Sequence, residues 1–251
     1  GLNLDASIIK VRFAYPDKEY TSVCSALSKS LYVNDADPPK TPSAPRLWTT
    51  LQGQNRLLEW KPTLGQWEAQ GHTLRATNTE QSELYSGEGA RIVLPQTLTG
   101  DLDFACQFFL PDNSTGAGGP VVYFRVQDDG SCYAFRYINY WGTAVLHKKR
   151  PGQPWAQIGY ASGRDFSVGQ WHDLVLHVKG ENLSVEVDGK ALIEARDAEL
   201  TGGVIGLGCQ VRQVQFRNIR ISASSVEPRS DWKPAVDPVN YTVVCDDAGH
   251  G

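Results

Sequence analysis

Residues 202–222, GGVIGLGCQVRQVQFRNIRIS, decide the fold. They hold two apolar runs, 204–209 and 211–221, with a polar break around 210–213. Glycines at 202, 203, 206 and 208 punctuate the first run, so a strand there can lie close against a neighbouring backbone. In the second run Val214 and Phe216 alternate with Gln213, Gln215 and Arg217. The beat resumes at Ile219 and Ile221 after a slip at Asn218. Successive side chains of an extended chain point to opposite faces, so an apolar residue at every second position marks a half-buried strand. The slip at Asn218 predicts a bulge or bend.

The same period recurs upstream. Residues 101–110, DLDFACQFFL, place Leu102, Phe104, Cys106 and Phe108 inward and Asp103, Ala105 and Gln107 outward. A hairpin is predicted from 121–126 and 132–139 around Asp128-Asp129-Gly130, and another around Asp188-Gly189, the strongest two-residue turn signal in the chain. Shorter strands are predicted at 82–85, 91–94 and 142–149, with a hairpin about Gly71-His72. A loop is expected over 151–163, then strands at 171–179, 182–187 and 190–194.

The ends read differently. Residues 7–15 alternate like a strand, and 21–33 space Val23, Leu27 and Leu31 like one face of a helix. Residues 33–46 carry four prolines and no apolar period, the composition of a semi-rigid linker. After Ser222 the beat stops, leaving one short strand candidate at 241–245. The expected organisation is an N-terminal strand-helix arm (1–32), a linker (33–46), one all-β domain (47–222) and a C-terminal arm (223–251).

At 251 residues the chain can bury a full core without disulfide staples. Its formal charge of −4 argues against a nucleic-acid partner, which calls for a basic face. No apolar run approaches the roughly 20 residues of a membrane span. Of five cysteines, Cys106, Cys132 and Cys209 fall in predicted strands and read as buried thiols; Cys24 and Cys245 lie in the arms, free or joined to each other.

The strand order, W-H-D-L-V-L-H-V at 171–178, the V-D-G-K turn at 187–190 and F-R-N-I-R-I at 216–221 resemble the concanavalin A-like (laminin G-type) jelly-roll superfamily. In pattern they are similar to the 3-keto-disaccharide hydrolase-like domains and to non-catalytic sugar-binding modules. The resemblance covers residues 47–222 and implies an antiparallel two-sheet jelly-roll sandwich. It also implies saccharide binding on the concave sheet, and calcium as a candidate ion. Oxygen ligands for calcium are offered by Asp128 and Asp129, Asp101 and Asp103, and Asp112-Asn113, without an EF-hand spacing.

Sugar recognition needs flat rings for C–H faces and fixed polar forks for hydroxyl pairs. Tyr123, Arg125, Arg136, Tyr140, Trp141 and His147 supply both within a short span. Period two puts Val122, Phe124 and Val126 on the core side, with Tyr123, Arg125 and Arg136 on the outer face. The competing reading is that aromatic-rich strands are simply good strands and the arginines are solvated. His172 and His177 read as structural, facing opposite sides of one strand. Asp103 and Asp173 are the acids on outer faces. The paired carboxylates of most glycosidases are missing: the nearest approach to Glu-x-Asp-x-x-Glu is Glu186-Val-Asp188-Gly189-Lys190-Ala191. Three readings follow: a non-catalytic carbohydrate-binding or adhesion module, an enzyme of the 3-keto-disaccharide hydrolase type, or a structural domain docking to neighbouring domains of a longer chain. The first two suit an extracellular or periplasmic setting.

Overall fold

The structure, a computed structural model, describes residues 44–78, 90–111, 118–138, 142–163, 165–209 and 213–229. The chain divides into two compact units, and every described residue belongs to the one spanning Ser43–Asp237. The expected arm elements at 7–15, 21–33 and 241–245 and the strand at 82–85 lie outside the described residues, as do Cys24 and Cys245.

The described residues contain only strands as regular elements. They are β1 (Arg46–Leu51), β2 (Gln54–Glu59), β3 (Lys61–Leu64), β4 (Gln66–Gln70), β5 (Thr73–Asn78), β6 (Ala90–Phe109), β7 (Pro120–Val126), β8 (Cys132–Ile138), β9 (Thr143–Lys149), β10 (Ala156–Ala161), β11 (Trp171–Lys179), β12 (Asn182–Val187), β13 (Lys190–Arg196), β14 (Gly202–Cys209) and β15 (Gln215–Pro228). The hydrogen-bonded order is β10-β9-β8-β7-β14-β6-β11-β12-β13. Strand β6 is the hinge of this order. Its first half pairs with β14, from Ala90↔Cys209 to Thr99↔Gly202. Its second half pairs with β11, from Leu102↔Val178 to Phe109↔Trp171. The long β15 runs along the other side of β6, from Gln215↔Phe109 to Pro228↔Gln96. Two sheets therefore share β6, and the apolar faces meet between them, as in an all-β jelly-roll sandwich.

The core is what the period predicts. Leu102, Phe104, Cys106 and Phe108 of β6 are buried, with Val122 and Phe124 of β7, Phe135 of β8, Leu174 and Leu176 of β11, and Phe216, Ile219 and Ile221 of β15. Each large side chain so buried contributes about 1.5–3 kcal/mol against the entropy of ordering the chain. The anchor behaves as read: Asn218 has φ 53°, and the β15–β6 register shifts between Arg217 and Arg220. Asp188 and Gly189 have φ of 52° and 70°, the left-handed pair of a tight hairpin turn.

Three expectations need correction. The strands at 91–94 and 101–110 are one strand, β6, because Gly100 at φ 73° bends the chain without ending its ladder. The expected loop 151–163 contains β10, whose Ala156, Gln157, Gly159 and Ala161 hide any apolar period; it pairs with β9 through a bulge between Gln157 and Gly159. Strand β15 runs six residues past Ser222 to Pro228, held by backbone pairing to β6 rather than by an apolar stripe.

Candidate functional site

The outer face of the β14-β7-β8-β9 sheet brings together most of the described candidate residues. Its register sets Tyr123 opposite Gly206 and Ala134, and Ala134 opposite His147. The next row runs Gly208, Val121, Arg136, Val145. Glycines leave room here. A Cβ at Gly208 would come within 2.8 Å of Cε2 of Tyr123, so the phenol ring lies over bare β14 backbone. The Arg91 guanidinium sits 5.5 Å from the centroid of the same ring.

This face is buried. Tyr123 and Ala134 have no exposure and join Val93, Val121, Val126, Cys132 and Val204 in a second apolar cluster, against which Trp155 packs. Arg136 is only 3% exposed, and its guanidinium lies over the Trp155 ring at 4.1 Å from the centroid. His147 meets the same indole edge-on at 5.9 Å. Among the described residues, nothing accepts from Nε or Nη2 of Arg136 and nothing pairs with Nδ1 of His147. Nε and Nη2 form one edge of the guanidinium plane, a fork shaped for two neighbouring acceptor oxygens. Trp155 covers one flat face of that plane. Burial, with the adjacent Arg136 charge, lowers the His147 pKa to about 4, so its imidazole is neutral at ordinary pH.

Arg125 is not on this face. It has φ 51° at a β7 bulge, opposite the β14 register shift between Val204 and Gly206. The extra residue breaks the period, so Val126 turns to the Tyr123 side. The Arg125 guanidinium instead donates to the carbonyls of Leu200 (2.5 Å), Gly100 (3.2 Å) and Gly180 (3.5 Å). It ties three chain segments together, leaving little of its donor set for a ligand. Tyr140 and Trp141 lie outside the described residues.

The metal candidates are engaged elsewhere. Both carboxylate oxygens of Asp128 accept from Arg229, at 2.9 and 3.0 Å, and Asp129 accepts from the Ser131 backbone N–H at 2.8 Å. Asp101 accepts from Gly180 N–H, and Asp103 pairs with His177 (2.6 Å) and Lys179 (2.8 Å). Asp112 and Asn113 lie outside the described residues. No group of three or more His, Cys, Asp or Glu among the described residues converges as a metal site. At this turn the Asp128 carboxylate is engaged by a bidentate guanidinium.

His172 is held at both nitrogens, by Asp188 Oδ2 and the Ser167 carbonyl, each at 2.8 Å, and packs between Phe108 and Phe166. That is a structural role. The strand thiols Cys106, Cys132 and Cys209 are buried, and burial pushes Cys209 up to about 12.

A hollow, missed in the sequence, lies on the outer face of the other sheet. It encloses about 450 Å³ between Trp48, Asn55, His72, Asp173, Asn218 and Arg220. Its signal was present only as the slip at Asn218.

Together, the two sheets sharing β6 and the core between them define an all-β jelly-roll sandwich protein. The 3-keto-alpha-glucoside-1,2-lyase-like domain family matches residues 47–222, and the chain belongs to that family. Solved structures agree on the fold. The carbohydrate binding module CBM66 from Bacillus subtilis is 17% identical with a TM-score of 0.56, aligning 64% of this chain with 94% of its own. The exoplasmic/lumenal domain of VIP36, in its Ca2+/Man3GlcNAc-bound form, is 13% identical with a TM-score of 0.54, aligning 68% and 86%. A Bacillus subtilis protein of unknown function with a galectin-like fold is 14% identical with a TM-score of 0.51, aligning 68% and 90%. No curated protein matches the sequence. No helix among the described residues is long and apolar enough to cross a membrane.

Proposed function

We propose that the chain recognises a saccharide through the outer face of the β14-β7-β8-β9 sheet. One observation carries the reading: Arg136 is buried with its Nε–Nη2 edge unengaged among the described residues. A guanidinium taken from water without an acceptor costs free energy, so a partner with two adjacent oxygens restores what folding gives up. A vicinal diol of a sugar ring fits that fork. The Trp155 indole beside it offers a flat apolar surface, and neutral His147 offers a nitrogen that accepts or donates to a hydroxyl. Tyr140 and Trp141, two and three residues beyond β8 in sequence, belong to the same proposed site. Two structural neighbours, a carbohydrate binding module and a Man3GlcNAc-bound domain, support a sugar ligand. Such a role suits an extracellular or periplasmic setting.

Calorimetric titration of the whole chain against a panel of mono- and disaccharides tests the reading. Binding lost in Arg136→Met with the fold retained is the expected result. A wild-type protein silent across the panel refutes it.

A second reading, elimination on a 3-keto glucoside, is favoured by the family match and by His147 beside Arg136. A 1,2-elimination removes the C2 proton next to the ketone and breaks the C1–O bond, forming a C1=C2 double bond and releasing the aglycone with a proton. Neutral His147 suits the base, and Arg136 the enolate oxygen. Release of free sugar from a 3-keto disaccharide but not from the unoxidised one, lost in His147→Phe, separates catalysis from binding alone.

A further inference from the structure

We propose that the hollow on the β6-β11-β15 face is a second binding site, for a neutral saccharide unit, separate from the Arg136 face. Its origin lies in the sheet edge. Strand β15 is flanked first by β5, from Gln215↔Arg75 to Arg217↔Thr73, and then by β1, at Arg220↔Thr50 and Ile221↔Leu51. Asn218 and Ile219 fall in the handover, paired to neither strand and inside the register shift against β6. The hollow opens there, between the β4–β5 turn carrying His72 and the β1–β2 pair carrying Trp48 and Asn55. Its volume of about 450 Å³ falls in the range of small-molecule sites, about 300–1,000 Å³.

The lining is organised rather than loose. Gln107 Oε1 accepts from Arg217 Nε and Asn218 Nδ2, each at 2.8 Å, and Gln107 Nε2 donates to Asp173 Oδ1 at 3.0 Å. The Arg217 guanidinium stacks on Trp171 at 3.9 Å, which holds one end of this chain of bonds. The network fixes Asp173 and Asn218 while leaving Asp173 Oδ2 and Asn218 Oδ1 without donors among the described residues. Trp48 is 42% exposed on the rim, an indole with no core to fill. One carboxylate, Asp173, and one guanidinium, Arg220, line the same hollow, so their charges offset and neither a cation nor an anion is favoured. Hydroxyl donors for Asp173 and Asn218, acceptors for Arg220 and Asn55, and a C–H face for Trp48 together describe a neutral sugar ring.

Indole-labelled whole chain, titrated with D-glucose and with cellobiose and followed by the tryptophan N–H resonances, tests this. The Trp48 resonance, assigned with Trp48→Phe, is expected to shift and saturate. Asp173→Asn weakens that shift about tenfold, the loss expected for one charged hydrogen bond. Arg136→Met leaves it intact, whereas it removes any shift at Trp155, so the two faces are read apart. A Trp48 resonance unmoved by either sugar overturns the proposal, as does a shift that survives Asp173→Asn unchanged or disappears with Arg136→Met.

Discussion

Replacing Arg136 by methionine is expected to make the sugar-free protein more stable. The wild-type side chain is buried with two N–H groups unengaged among the described residues. Each such donor costs about 1–3 kcal/mol relative to solvation. The stacking on Trp155 returns about 0.5–2 kcal/mol, because the ring face attracts the cation. Methionine has a similar unbranched stem and no polar atom that needs a partner. The net gain is about 2 kcal/mol, which for a domain of this size raises the melting temperature by about 4–8 °C. Circular-dichroism melts and urea titrations of the whole chain, run without sugar, measure it. A ligand bound by the wild type raises its melting temperature by mass action and leaves that of Arg136→Met unchanged. A less stable Arg136→Met protein refutes the reasoning, since the fork is then already satisfied in the free state. A more stable one that still binds sugar equally well shows that the fork is not the recognition element.

Three further outcomes are expected. The His147 pKa is lowered from its ordinary 6.5 to about 4, so between those values the unfolded chain holds a proton that the folded chain rejects. Stability therefore falls as pH drops from about 6.5 to 4, by at most about 3 kcal/mol, and His147→Phe removes that part of the slope in urea titrations across this window. Arg125→Lys loses the planar fork that joins the Leu200, Gly100 and Gly180 carbonyls; the cost is about 3 kcal/mol in urea unfolding, with no change in saccharide affinity once folded. In Gly208→Ala the new methyl would lie 2.6 Å from the Ala90 carbonyl oxygen and 2.8 Å from Tyr123, so a melting curve should show a loss of about 1–3 kcal/mol and the tyrosine fluorescence should change.

Much of the fold was legible because its strands obey a local rule. Leu102, Phe104, Cys106 and Phe108 alternate, and burial of one sheet face requires it. Asp188-Gly189 marked its hairpin because few residues accept left-handed backbone. Strand β10 escaped because an edge strand of small and polar residues is held by backbone pairing, which leaves no side-chain period. The end of β15 escaped for the same reason.

The site was legible in residue type and illegible in direction. Tyr123 and Arg136 were placed on one face by period two and stand there, with His147 beside them. Arg125 was placed with them and is elsewhere, because one positive-φ residue flips every side chain beyond it to the other face. That face was expected to be open, and its Tyr123 and Arg136 are buried; Trp155, nineteen residues from Arg136 in sequence, packs against it.

By itself, the sequence determined the class of fold, the span 47–222 of its family resemblance and the residues on the inner faces, since these follow from alternation and turn chemistry between near neighbours in the chain. Only the tertiary structure decided which arginine is a staple and which keeps an unengaged fork, and where a hollow opens beside Asn218. Those outcomes depend on pairings between segments far apart in sequence, such as β15 with β1 and β5, and on bulges that change facing without changing composition.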